Sequence, residues 1–73
     1  MDWEIDASKH RALHTKTGLV VVFTSRWGNW HGKPLNLFAI NDSLCDVGIE
    51  KAKETVDRLM REAKMEFTRA LRL

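Results

Sequence analysis

Nine apolar residues recur at helical spacing near the end of the chain: Ile49, Ala52, Val56, Leu59, Met60, Ala63, Phe67, Ala70 and Leu71. Steps of three and four put them on one stripe of a single long helix, and such a stripe must be buried against another layer. The intervening positions are charged. Glu54 precedes Arg58 by four residues and Asp57 precedes Arg61 by four, the favourable order for acid-base pairs on a solvated helix face. Asn41, Asp42 and Ser43 are good N-cap residues, and Ser43 with Asp46 approximates a capping box, which predicts a helix from about Leu44 to Leu71. Gly48 costs about 1 kcal/mol inside a helix, so a ragged first turn with regular helix only from Gly48 is the alternative start.

The layer that receives this stripe is read from the first forty residues. Leu19-Val-Val-Val-Phe23 is β-branched and aromatic, lies after Gly18 and ahead of the turn-rich stretch Ser25 to Pro34, and predicts a central strand. Thr15-Lys16-Thr17-Gly18 suits a turn that closes with a left-handed glycine, pairing the central strand with an earlier one at about Lys9 to Thr15. A third strand is expected at Leu35 to Ile40, after a loop containing Trp27, Gly28, Asn29, Trp30, His31 and Gly32. Trp3 to Ile5 adds a short edge strand or packs its indole on the fold. The expected class is α+β: a three-stranded antiparallel β-meander followed by one long C-terminal α-helix packed on one face.

Seventy-three residues suffice for a single small domain, 1–73, and one cysteine excludes an intrachain disulfide, so packing alone or a partner must stabilise it. The longest apolar run, Leu19 to Phe23, is far short of the ~20 residues that span a bilayer. The acidic start, Met-Asp-Trp-Glu-Ile-Asp, lacks the features of a signal peptide, and the expected compartment is the cytoplasm with no membrane contact.

Motifs that would carry catalysis are lacking. His10 and His14 have the H-x-x-x-H spacing of a helical zinc site, but on a strand residues four apart are ~13 Å apart, too far to share an ion. His31 and Cys45 do not complete such a site by any spacing rule. Cys45 near a helix start has the position of a stabilised thiolate, yet no base is placed beside it, and a small part-buried apolar role fits it better. Gly28, Gly32 and Lys33 match neither phosphate-loop pattern. The expectation is a non-enzyme with no catalytic residue, metal or cofactor.

Binding is better supported. Trp27 and Trp30, with Arg26, His31 and Lys33, form a basic aromatic loop of the kind that anchors protein interfaces or stacks on unpaired bases. On the helix, Arg58, Arg61, Arg69 and Arg72 share one stripe, a candidate face for nucleic acid or an acidic partner. The charge surplus is small: the whole net +2 comes from the first 37 residues, and Phe38 to Leu73 is neutral with seven basic and seven acidic residues. Strands followed by a helix carrying Ala52-Lys53 in Gly48-Ile-Glu-Lys-Ala-Lys53 resemble the C-terminal part of double-stranded RNA-binding domains. Ile49-Glu50 stands where that family carries consecutive lysines, so no RNA-contacting residue is carried over.

The expected function is therefore that of a small binding module acting through protein-protein interaction, of the sort found among bacterial or phage accessory and inhibitor proteins that occlude a larger complex. Nucleic-acid binding is the alternative. The central strand is apolar on both faces and the helix looks longer than the sheet, which predicts a homodimer, with Leu19, Val21, Phe23, Leu37, Phe67 and Leu71 as the candidate interface.

Overall fold

The computed structural model describes residues 2–37 and 48–72. Four antiparallel strands run in sequence order across one sheet: β1 Trp3–Asp6, β2 Arg11–His14, β3 Val20–Arg26 and β4 Asn29–Pro34. A single described helix, α1 Ile49–Leu71, lies across one face. The architecture is the expected α+β meander and helix with one strand more. Trp3 to Ile5 belongs to an edge strand, and the β2 strand is shorter than the Lys9 to Thr15 expected.

Register decides what each face carries. Trp3 pairs with His14, Ile5 with Ala12, Ala12 with Val21, and Val21 and Phe23 pair with Pro34 and Gly32. Directly paired residues share a face, so these side chains line the helix side of the sheet. Ala12, Leu19, Val21 and Phe23 are buried there beneath Val56, Leu59, Ala63 and Phe67 of α1. Phe67 is the centre of the aromatic packing. Its ring stacks on Phe23 with centroids 4.3 Å apart and meets Trp30 edge-on at 5.0 Å. Gly32 is needed on this face, because a Cβ there would stand 2.9 Å from Phe23 Cε1 and 3.1 Å from Val21 Cγ1.

Hairpin loops of four residues, Ala7 to His10, and five residues, Thr15 to Leu19, join the first three strands, and each has a left-handed residue at or next to its end: His10 at φ 56° and Gly18 at φ 80°. In the first, Asp6 Oδ1 accepts hydrogen bonds from Ser8 Oγ at 2.6 Å and the Lys9 amide at 3.1 Å. These bonds to its charged form hold the Asp6 carboxyl below the ordinary aspartate range. In the second, Gly18 has the left-handed φ that the turn signature predicts, but its amide donates to the His14 carbonyl, four residues back, rather than to Thr15 as in a type I turn. His14 is buried against Trp3, its Nδ1 2.8 Å from Thr17 Oγ1.

The third connection differs from expectation. Ser25 to Pro34 is not a loop: β3 continues to Arg26, turns through Trp27 and Gly28, and returns as β4. Leu35 sits in a bend and is exposed, so the strand expected at Leu35 to Ile40 is not seen over its described part; Phe38 to Ile40 lie outside the described residues. Asn36 closes this end of the ribbon. Its Oδ1 accepts from the Val20 amide at 2.9 Å and its Nδ2 donates to the Gly18 carbonyl at 2.7 Å, standing in for a further strand residue. Leu37 then packs against the core on the helix side.

The helix spans about 34 Å at 1.5 Å per residue. Gly48 is its N-cap at φ 93°, without a side-chain cap; the expected caps Asn41 to Ser43, and Cys45, lie outside the described residues. Phe67 is fully buried, so the helix packs on the sheet at least that far along its length. Among the described residues no helix is long and apolar enough to cross a membrane.

Candidate functional site

The β3–β4 ribbon brings most of the singled-out basic and aromatic residues together. Its two-residue turn places Trp27 at φ 55° and Gly28 at φ 79°, the positive pair required by a type I′ hairpin turn. Asn or Gly normally occupies the first of these positions, and a bulky aromatic there is a conformational outlier that costs free energy. Trp27 gains nothing in return from the fold, being 96% exposed. Trp30 behaves oppositely. It turns to the helix side, half-buried between His10 and Phe67. Only one of the two loop tryptophans is therefore available to a partner.

The opposite face of the same ribbon is polar and positively charged. Three cross-strand pairs follow one another along it: Val22 with Lys33, Thr24 with His31, and Arg26 with Asn29. Arg11 of β2 pairs with Val22 from the other side and joins this row. Except for half-buried Val22, all of these side chains are exposed. The face is graded. Towards the Gly18 end it carries half-buried Leu13 and Val20, and its β1 margin carries Glu4 and Asp6. Among the described residues no element covers it, because α1 occupies the other side.

One sequence signal would have pointed here directly. No Asp or Glu occurs between Asp6 and Asp42, whereas Lys9, Arg11, Lys16, Arg26 and Lys33 all do. Strands β2 to β4 thus present cations without carboxylates, and the net charge of the first 37 residues hides this because it counts the acidic β1. A local surplus on one sheet face matters to a polyanion more than the chain total does.

The helix arginines form a separate surface. Arg61, Arg69 and Arg72 border, with Lys64, Met65 and Thr68, a shallow solvent-open groove on the outer side of α1. Arg58 is paired with Glu62 at 3.8 Å in an exposed setting where such pairs are weak, and Arg69 with half-buried Glu66 at 3.3 Å. This stripe faces away from the sheet and does not extend the ribbon's cationic face.

The expected dimer interface is largely internal. Leu19, Val21 and Phe23 are core side chains turned towards the chain's own helix, Phe67 of that helix is turned towards the sheet, and only Leu37, half-buried, and Leu71, 41% exposed, retain access. His10 and His14 do not converge: the His10 ring packs at a tilt against Trp30 while His14 bonds Thr17. Among the described residues no three His, Cys, Asp or Glu side chains cluster as metal ligands. Comparison with protein families, curated proteins and solved structures gives no match, so the reading rests on this geometry alone.

Proposed function

We propose that this chain is a non-enzymatic nucleic-acid-binding module whose working surface is the β3–β4 ribbon and the adjoining Arg11. The observation that carries the reading is the exposed row Arg11, Lys33, His31, Thr24, Asn29 and Arg26 on the sheet face opposite the helix, broken only by half-buried Val22 between Arg11 and Lys33. Three fixed cations on a rigid sheet suit phosphates, and the neutral hydrogen-bonding side chains between them suit base or sugar edges. Trp27 at the tip supplies a flat apolar surface for a base or sugar. Glu4 and Asp6 on β1 repel phosphates and confine the contact to β2, β3 and β4.

A protein partner was the first expectation, founded on two exposed rings. With Trp30 turned into the core, that argument keeps one exposed aromatic, and the charge pattern of the face now weighs more. The homodimer loses four of its six interface residues to the core, and this reading does not need it.

A salt titration separates the two partner classes. Two or three phosphate contacts give a slope of log K against log salt of about −2 to −3, hence roughly 10- to 40-fold weaker binding at 200 mM than at 50 mM salt. Anisotropy of labelled mixed-sequence DNA and RNA oligonucleotides, single- and double-stranded, measures it. Saturable binding with that slope, reduced in Arg11→Ala and Lys33→Ala, is expected. Lack of binding to every oligonucleotide at 50 mM salt overturns the proposal and returns the Trp27 tip to the protein-partner reading.

A further inference from the structure

We infer that the nucleic acid recognised is double-stranded DNA, entered through its major groove by the β3–β4 ribbon. This inference rests on the nucleic-acid reading above and adds the form of the ligand and the roles of individual side chains. From the Val22–Lys33 pair to the Arg26–Asn29 pair is four residues along each strand, about 13 Å at 3.3 Å per residue. Two strands ~4.8 Å apart with their side chains make a ribbon about 10 Å wide, and the major groove of B-form DNA is about 12 Å wide and accepts such a ribbon. The major groove of A-form RNA is too deep and narrow to admit it.

Shape alone does not distinguish a reader from a clamp, but the order of side chains does. The pair closest to the tip is Arg26 with Asn29, both exposed. These are the residue types that bond guanine O6 and N7, and adenine N6 and N7, with two hydrogen bonds each, and both patterns are displayed only in the major groove. Thr24 and His31 follow, a hydroxyl and an imidazole within reach of base edges or sugars. Arg11 and Lys33 lie at the far end of the row, flanking Val22 from β2 and β4. Their positions on either side of the ribbon's base suit the two phosphate backbones that border the groove, which Arg and Lys contact without sequence preference.

The turn explains why the ribbon can enter. Trp27 and Gly28 close the hairpin in two residues, so no wide loop blocks the leading end. The half-buried Leu13 and Val20 lie behind the polar pairs, towards the Gly18 end, and stay outside the groove. No carboxylate stands on β3 or β4, and the one nearest the row is Asp6, the cross-strand partner of Arg11 on β1, so Lys33 carries more of the backbone contact than Arg11.

Anisotropy at 50 mM salt with a 20-base-pair mixed-sequence DNA duplex, the RNA duplex of the same sequence and the single DNA strand tests the inference, each variant being checked for unchanged circular dichroism. The DNA duplex is expected to bind at least tenfold tighter than the other two. Arg26→Ala with Asn29→Ala should erase that preference, whereas Lys33→Ala should weaken all three ligands by a similar factor. A DNA duplex carrying 7-deazaguanine, which lacks the N7 acceptor, should bind several-fold more weakly than the parent. Equal or tighter binding to the RNA duplex or the single strand, or no effect of 7-deazaguanine, overturns the major-groove inference while leaving nucleic-acid binding standing. Failure to bind any of the three removes both.

Discussion

Replacing Trp27 by Asn should make the protein more stable while weakening its binding. Trp27 stands at φ 55° in the first central position of the β3–β4 turn, and its ring is 96% exposed, so the fold recovers almost no packing from it. An ordinary L-residue in the left-handed region costs about 1 to 2 kcal/mol, and Asn, which tolerates that region, avoids much of this. A gain of about 1 kcal/mol follows. Unfolding entropy near 2.1 cal/mol/K per residue gives about 0.15 kcal/mol/K over the chain, so the melting temperature should rise by roughly 5 to 7 °C. Trp27→Ala is the control: alanine keeps the Cβ that causes the strain, and its melting temperature should stay within a degree or two of the parent. Differential scanning calorimetry reads both, and anisotropy with the single DNA strand, whose unpaired bases the indole can stack on, should show each binding more weakly. A melting temperature for Trp27→Asn equal to or below the parent would refute the reasoning, since it would mean the indole is held by contacts the fold does not show.

Three further outcomes follow from the scaffold. Asn36→Ala strands the Val20 amide and the Gly18 carbonyl and should cost about 1 to 3 kcal/mol, read by urea denaturation, while Asn36→Asp, which keeps only the acceptor, should recover part of it. Gly32→Ala drives a methyl into Phe23 and Val21 and should cost about 1 to 3 kcal/mol; a neutral result would show that the Phe23–Phe67 stack yields readily. Asp6 titrates below its unfolded value because Ser8 and then the Lys9 amide bond its charged form, so its contribution is present above the unfolded pKa and lost as pH falls through the folded one. Asp6→Asn should therefore flatten the acid limb of stability against pH and leave the curve unchanged in shape near neutrality.

How far the sequence disclosed this arrangement varies by element. The helix was legible because one stripe of apolar residues at steps of three and four leaves little choice, and its inward residues Ala52, Val56, Leu59, Ala63 and Phe67 are the ones buried. The central strand was legible from its β-branched run, and the left-handed Gly18 from its turn context. β4 was not. Asn29-Trp-His-Gly-Lys-Pro34 has no β-branched residue and contains both a glycine and a proline, each counted against a strand, yet both are explained by place. Gly32 makes room for Phe23, and Pro34 is acceptable on an edge strand, where a missing amide donor removes no ladder bond. Missing β4 also misplaced Trp30, whose inward direction follows only from its pairing with Ser25. The core roles of Leu19, Val21, Phe23 and Phe67 could not be separated from interface roles by pattern, because an apolar strand reads the same whether its own helix or a second copy covers it.

The central claim is that nucleic acid contacts the sheet face opposite the helix, and amide chemical-shift mapping of the ¹⁵N-labelled protein during titration with the DNA duplex tests it most directly. The account predicts the largest perturbations at Arg11, Thr24, Arg26, Trp27, Asn29, His31 and Lys33, with the helix groove around Arg61, Lys64 and Met65 unchanged. Perturbations centred on that helix groove, with the β3–β4 amides unmoved, would contradict it.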